Sequence, residues 1–187
     1  MMADEDQYKG KVFVVDSQRI SVTQKADVLD AIAMVNKGYS AKEIYDYLMT
    51  NKMNATIYIT VDTLEYLKKG GRLSPAAATL GGLLKIKPIL ALQGEKLDKY
   101  GTSRTMKKAR KIMIDQVKQD IIDRGWGDDY EVCCVYTYDK EAALDYLEQI
   151  KEAFPDKEVI FDRLSLSVSC HIGPGALALA AYKKGSY

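Results

Sequence analysis

Between Ile57 and Pro75 the sequence passes from strand to helix, through a glycine break, to the start of a second helix. That punctuation constrains the fold more than any other stretch. Ile57, Tyr58 and Ile59 have strand composition. Asp62 or Thr63 is placed to cap a short helix with Leu64 and Leu67 as its apolar positions. Gly70-Gly71 ends that helix, because glycine takes the positive φ that a helix terminus needs. Ser74-Pro75 opens the next one, with serine as N-cap and proline at the first helical position, where its missing N–H costs nothing. Arg72 therefore sits on a hinge between two helices. Two readings of it stand side by side. It pairs with a nearby carboxylate and holds the turn, or it meets an anion together with free backbone N–H groups.

Composition removes several function classes. The 187 residues carry 27 Lys and Arg against 26 Asp and Glu, a formal net charge of +1. A nucleic-acid protein would show a clear basic excess. A hydrophobic fraction of 47% suits a globular chain with one substantial core. No apolar run approaches the ~20 residues of a membrane span, and Met1 to Lys11 is acidic and polar, unlike a signal peptide. The expected location is cytoplasmic. Cys133 and Cys134 are neighbours in a strand-like segment and so face opposite ways, which argues against a disulfide or a metal pair. These two and Cys170 read as buried free thiols. One histidine, His171, and no cysteine pair at ligand spacing leave no zinc pattern.

In chain order, Val12 to Val15 predicts a buried strand that delivers Asp16-Ser17 at its carboxyl end. Val28, Leu29, Ile32, Ala33 and Val35 recur at helical spacing between Asp27 and Asn36, and Lys37-Gly38 stops them. Ser40-Ala41-Lys42-Glu43 is a capping box for a helix through Ile44, Tyr47 and Leu48, ahead of a strand at Thr56 to Thr60. Ala76 to Leu84 is a small, apolar helix-like run. Lys87–Leu92 and Lys96–Tyr100 predict a β-hairpin turning at Gly94. Thr102 or Ser103 then caps a long helix, with Met106, Ala109, Ile112, Met113, Val117 and Ile121 on one face. Lys107, Lys108, Arg110 and Lys111 form the other face, either simply solvated or docking an acidic partner. Tyr130 to Tyr136 predicts a strand. Glu141 to Phe154 predicts a helix with Ala142, Leu144, Leu147 and Ile150 inward, and Val159 to Phe161 another strand. The sequence closes on His171-Ile172-Gly173-Pro174-Gly175 and an apolar run to Tyr182. Alternating strands and helices with one hairpin predict a mixed α/β architecture.

The chemistry is narrow. There is no phosphate-binding Gly-x-x-x-x-Gly-Lys-Ser/Thr loop and no dinucleotide fingerprint after a strand. His171 has no nucleophile elbow to serve, which weakens a third reading, an enzyme acting on an anionic substrate through this histidine. Arg72, Arg104 and His171 all fall at junctions between elements. If they converged, they would hold a carboxylate or phosphate beside apolar segments fit for a hydrophobic tail.

Taken together, five motifs carry a resemblance. They are Asp16-Ser17 after an apolar strand, Leu64-x-x-Leu67-Lys68-Lys69-Gly70-Gly71-Arg72-Leu73-Ser74, Lys85-Ile86-Lys87-Pro88-Ile89, Arg104 with Lys107-Lys108-Ala109, and His171-x-Gly173-Pro174-Gly175. In this order they resemble the DegV family from about Val12 onward. The resemblance implies an α/β fold: the remnant of a first α/β domain over residues 1–60, then a complete second mixed α/β domain over 61–187. It implies a long-chain fatty acid as ligand, with no other cofactor. It implies a fatty-acid kinase as partner, which phosphorylates the presented carboxylate, so that the protein is a carrier and no residue is catalytic. Arg72 is then expected near the head-group end of the lipid. Arg104 and His171 are expected at the same end, in acyl-phosphate handling or kinase docking. Ser74 and Gly173, from the same motifs, complete the expected ligand-binding set. The family's usual N-terminal segment, with the serine and threonine that bond the carboxylate, is expected to be missing. The alternative is accordingly a truncated remnant that self-associates or docks a partner without lipid.

Overall fold

The computed structural model describes residues 5–82, 86–93 and 96–187. Among these residues the chain forms six strands in one open sheet, with seven helices distributed over it. The strands are β1 (Ala55–Thr60), β2 (Lys87–Gln93), β3 (Lys96–Ser103), β4 (Tyr130–Tyr136), β5 (Val159–Arg163) and β6 (Leu177–Lys183). Their order across the sheet is β3-β2-β1-β6-β4-β5. Every pairing is antiparallel except β4 with β5. The parallel pair is joined by helix α6 (Lys140–Ala153), since parallel strands need a crossover where antiparallel ones need only a turn. The mixed α/β expectation holds, and the hairpin and the Tyr130–Tyr136 strand form as the sequence predicts. The hairpin's Gly94 and residues 83–85 of the small apolar run lie outside the described residues.

Strand alternation builds two cores. On one face Tyr58, Ile89, Cys134 and Leu179 pack beneath α5 (Met106–Asp123) and α6, against Ala109, Met113, Val117, Ala143, Tyr146 and Ile150. On the other face Ile57, Ile59, Leu90, Cys133 and Ala178 meet shorter pieces. These are α3 (Glu65–Lys69), α4 (Pro75–Ala78) with the 3-10 turn Thr79–Gly82, α7 (Leu166–Ile172) and the start of α1 (Ser21–Asn36). Cys133 and Cys134 thus fall in different cores, as period two requires. Burial pushes each of their thiols up to about 12, so neither is a ready nucleophile.

Several expectations are corrected. Val12 to Val15 is not a buried strand: among the described residues it pairs with none, and Val12 and Val14 are nearly half exposed. A strand composition without a neighbouring ladder leaves its backbone groups to water. The anchor that follows this segment is Arg19, a residue without a motif of its own. Its guanidinium pairs with Asp27 at 2.6 Å and donates to the carbonyls of Asn51 and Lys52, at the end of α2 (Ala41–Asn51). Helix α1 begins at Ser21, before Asp27, and buries Val22, Ala26 and Met34. Its expected apolar positions Val28, Leu29, Ile32 and Val35 are each more than half exposed.

Smaller errors are of register. The capping box at Ser40 and Glu43 forms as expected, but α5 is capped by Thr105, whose hydroxyl accepts the Lys108 N–H at 3.2 Å. Neither Thr102 nor Ser103 caps it. In α6 the inward residues are Ala143, Tyr146, Leu147 and Ile150, while Leu144 is exposed. Arg110 leaves the expected solvated face: it is 8% exposed, ion-paired with Asp145 and bonded to the Ala142 carbonyl at 3.1 Å. Cys170 is exposed, not buried.

Candidate ligand-binding site

The chain enters the site from β1. Val61 is fully buried, Asp62 forms an ion pair with Lys87 at 2.6 Å, and the Thr63 hydroxyl accepts the Glu65 N–H at 3.2 Å. The N-cap position itself is Leu64, with no side-chain cap, so neither Asp62 nor Thr63 holds that post. Leu67 is buried and anchors α3 to the sheet. The glycine pair then divides its labour. Gly71 has φ +64 and supplies the left-handed turn, whereas Gly70 has an ordinary φ of −77.

Gly70 is glycine for another reason, which Gly173 and Gly175 share in addition to their own positive φ of +81 and +77. A β-carbon at residue 70 would lie 2.6 Å from His171 Nδ1. One at 173 would lie 2.3 Å from Tyr66 Cδ2, and one at 175 would lie 2.1 Å from Asp62 Oδ2. Residues 62, 66 and 70 follow one another along α3 and its approach, and residues 171, 173 and 175 follow one another through the end of α7 and the turn after it. The two most conspicuous motifs of the sequence therefore lie against each other, running in opposite directions. Thr137, just past β4, pins the arrangement from below. Its buried hydroxyl donates to the Gly173 carbonyl at 2.7 Å and accepts the Ala176 N–H at 2.9 Å. An isolated threonine carries no sequence signal for this.

After Gly71 the chain docks on the outer edge of β3. The Leu97 N–H donates to the Arg72 carbonyl at 3.1 Å, and the Ser74 N–H donates to the Leu97 carbonyl at 3.0 Å. This one-residue parallel bridge between Leu73 and Leu97 turns the expected hinge into a fixed corner. Ser74 caps α4, accepting the Ala77 N–H at 3.1 Å, and gives its hydroxyl proton to Asp98. That bond and the Lys99 N–H hold the Asp98 carboxyl below its ordinary value. Both capacities of the Ser74 hydroxyl used here are local.

Between this corner and α7 lies a cleft of about 360 Å³, lined by Ile20, Leu67, Leu92, Leu97, Val168 and Ile172, with Arg72, His171 and Ser167 as its polar members. Arg72 is exposed and His171 half-buried. Among the described residues no carboxylate pairs with the Arg72 guanidinium, and no hydrogen bond engages the His171 ring. Of the five sequence-derived positions, Arg72 and His171 share this cleft. Ser74 is next to it through its backbone. Gly173 lines a neighbouring cleft instead. Arg104 follows Ser103 at the far end of β3, about 20 Å of extended strand from Leu97 and the Arg72 corner. The three cationic groups do not converge.

The fold and the cleft define a class: a mixed α/β protein with one open, mostly antiparallel sheet and a small cleft, apolar in the main and cationic at one side. The chain belongs to the DegV family, whose model, described as uncharacterised proteins of that family, matches residues 2–184. A DegV domain-containing protein of Clostridium perfringens is 32% identical over 168 residues, 89% of this chain and 56% of that protein. Among solved structures, a stearic-acid-binding protein from Eubacterium ventriosum matches with TM-score 0.80 and 26% identity, covering 98% of this chain and 63% of that one. A DegV family protein from Thermus thermophilus, described by its fatty acid binding, matches with TM-score 0.79 and 30% identity over 95% of this chain and 62% of that one. The chain thus spans about three fifths of the length of these relatives. Among the described residues no helix is long and apolar enough to cross a membrane.

Proposed function

We propose that this chain contributes the head-group wall of a long-chain fatty-acid site, with Arg72 and His171 facing the carboxylate. The observation that carries the reading is their meeting in one cleft whose remaining walls are almost wholly aliphatic. A carboxylate leaving water needs charge-assisted hydrogen bonds, which a guanidinium and an imidazole supply. Each methylene laid on Leu67, Leu97, Val168 and Ile172 would contribute about 0.8 kcal/mol. Relatives described as fatty-acid-binding proteins support the ligand class. The protein would be a cytoplasmic carrier that presents the acid to a fatty-acid kinase. Arg104, remote from the cleft along β3, is better suited to touching that kinase than to touching the lipid. The two-part division near residue 60 belongs to this proposal, with β1 joining the second part, because both of its ladder partners, β2 and β6, lie there.

The test is to purify the chain and extract it for mass spectrometry, then to repeat after incubation with stearate. A long-chain acid is expected, and Arg72→Met should reduce its retention. No acyl chain under either condition, even with a relative's N-terminal segment supplied, overturns the reading.

A second reading is favoured by one feature, the exposed stripe of Val28, Leu29, Ile32 and Val35 on α1. Val28, Ile32 and Val35 of this stripe, with Val15 and Leu48, border a cleft of about 390 Å³. Apolar faces of this kind commonly become interfaces, so the chain would self-associate or dock a partner without lipid. Sedimentation decides: a monomer at micromolar concentration removes self-association.

A further inference from the structure

Helix α7 separates the Arg72–His171 cleft from a second one of about 460 Å³, between α3, α7 and the ends of β4 and β5. Its walls include three tyrosines, Tyr66, Tyr136 and Tyr138, and one arginine, Arg163. Two of the rings are held in place. Tyr136 is buried, its ring stacked on Phe161 at 5.1 Å with the planes 15° apart as part of the core beneath α5 and α6, and Tyr66 lies on the α-carbon of Gly173. The Arg163 guanidinium sits 5.8 Å from the centre of the Tyr136 ring. Among the described residues it has no carboxylate partner. The adjacent Asp162 is turned to Lys25 at 3.3 Å, and from Arg163 it accepts the backbone N–H and not the guanidinium.

Tyr138 is the unusual member. It has φ +63, a left-handed backbone that glycine or asparagine adopts far more readily than a bulky residue. Packing does not offset that cost, because Tyr138 is 83% exposed. Leu166 lines the same cleft and is 80% exposed. An aromatic ring is thus held out at the mouth of a cleft that already has one fixed aromatic wall, Tyr66, and a cation. The volume falls within the range of about 300–1,000 Å³ usual for small-molecule sites.

We propose that this cleft is a second ligand site, for a small aromatic anion such as an aryl phosphate or aryl carboxylate. The ring packs between Tyr66 and Tyr138, and the anionic group lies on Arg163. The site shares α7 with the first cleft but none of its cations, and it does not depend on the fatty-acid reading.

The test is to titrate the full isotope-labelled chain with four probes, phenyl phosphate, benzoate, inorganic phosphate and benzyl alcohol, following backbone amides by NMR. At least one of the two aryl anions is expected to shift Tyr138, Ser169, Cys170 and Gly173 saturably, and which one does so distinguishes phosphate from carboxylate. Inorganic phosphate and benzyl alcohol at equal concentration should not. Arg163→Met and Tyr138→Ser should each weaken the response by about fivefold or more, the loss of one contact, while Arg72→Met leaves it unchanged. Both altered residues are exposed, and unmoved amides elsewhere report that the fold is intact. The proposal is overturned by no saturable shift with either aryl anion, by an equal response to phosphate or benzyl alcohol, by unchanged affinity in both variants, or by loss of the response in Arg72→Met.

Discussion

The His171 imidazole rests on the α-carbon of Gly70, so close that a β-carbon there would come 2.6 Å from Nδ1. Gly70→Ala therefore has to displace the ring. The expected cost is about 1–3 kcal/mol, as for other overpacked positions, with a shifted His171 ring resonance. Gly71→Ala meets no atom within 4 Å and strains only the backbone at φ +64, costing about 1 kcal/mol. Asparagine tolerates that conformation, so Gly71→Asn should recover stability in urea titrations and Gly70→Asn should not. Equal behaviour of the two asparagine variants would contradict the assignment of separate roles.

Thr137 offers a test of the loop that carries His171. Thr137→Val keeps the shape but leaves the Gly173 carbonyl and the Ala176 N–H without their partner. A cost of about 1–3 kcal/mol is expected, together with faster amide exchange at Gly173 to Ala176. Thr137→Ser retains the hydroxyl and should stay close to the parent.

Asp27 gives the fold a pH dependence of known sign. Burial raises its carboxyl from 3.8 to about 6, against the opposing pull of Arg19, and Asp30 adds to the rise. The folded chain thus holds a proton that the unfolded chain has released between these values. This residue's contribution accordingly lowers stability as pH climbs from about 4 to about 6 and is constant above that. Asp27→Asn cannot ionise, so its stability relative to the parent should improve between pH 4 and pH 7 in denaturant titrations. A difference independent of pH would show that Asp27 has an ordinary carboxyl.

The Arg110–Asp145 pair joins one deeply placed partner to one in water. Removing either member of a fully buried pair costs about 3–5 kcal/mol. The Asp145 side chain is 69% exposed, so Asp145→Asn should cost only about 1 kcal/mol. Arg110→Ala should cost more, about 2 kcal/mol, since its guanidinium lies 5.6 Å from the centre of the Tyr146 ring and holds the Ala142 carbonyl. Thermal denaturation of the two variants orders them.

How far these features could be read from sequence depends on how local their causes are. Ser40 with Glu43, Ser74 with Pro75, and the strand from Tyr130 to Tyr136 were all legible, because cap and strand signals act within a few residues. Leu144 and Thr102 went astray by one and three residues, since a helix face and a cap shift together with the unseen start of the element. Val12 to Val15 failed for a different reason: a strand exists only with a neighbour, and composition does not say whether one is there. The site divided along the same line. The motifs at 70–74 and 171–175 were visible, and Arg72 and His171 line the same cleft. That the glycines serve the contact between the motifs could not be seen in either alone. Arg104, placed with them by order in the chain, is separated from them by the length of β3.

The position of β6 sets the order in which this molecule can be assembled. β6 is the last strand in sequence, yet it lies between β1 and β4 and supplies ladders to both. Until it is made, β1-β2-β3 and β4-β5 are two separate small sheets, each with an open apolar edge. During synthesis the nascent chain must keep those edges apart through more than forty residues of α5, α6 and their connections, which invites pairing with other chains. Release of Leu177 to Lys183 from the ribosome is then the step that joins the halves. A strand-breaking change there, such as Ala180→Pro, should send the protein to aggregates during expression instead of yielding a folded but weakened form.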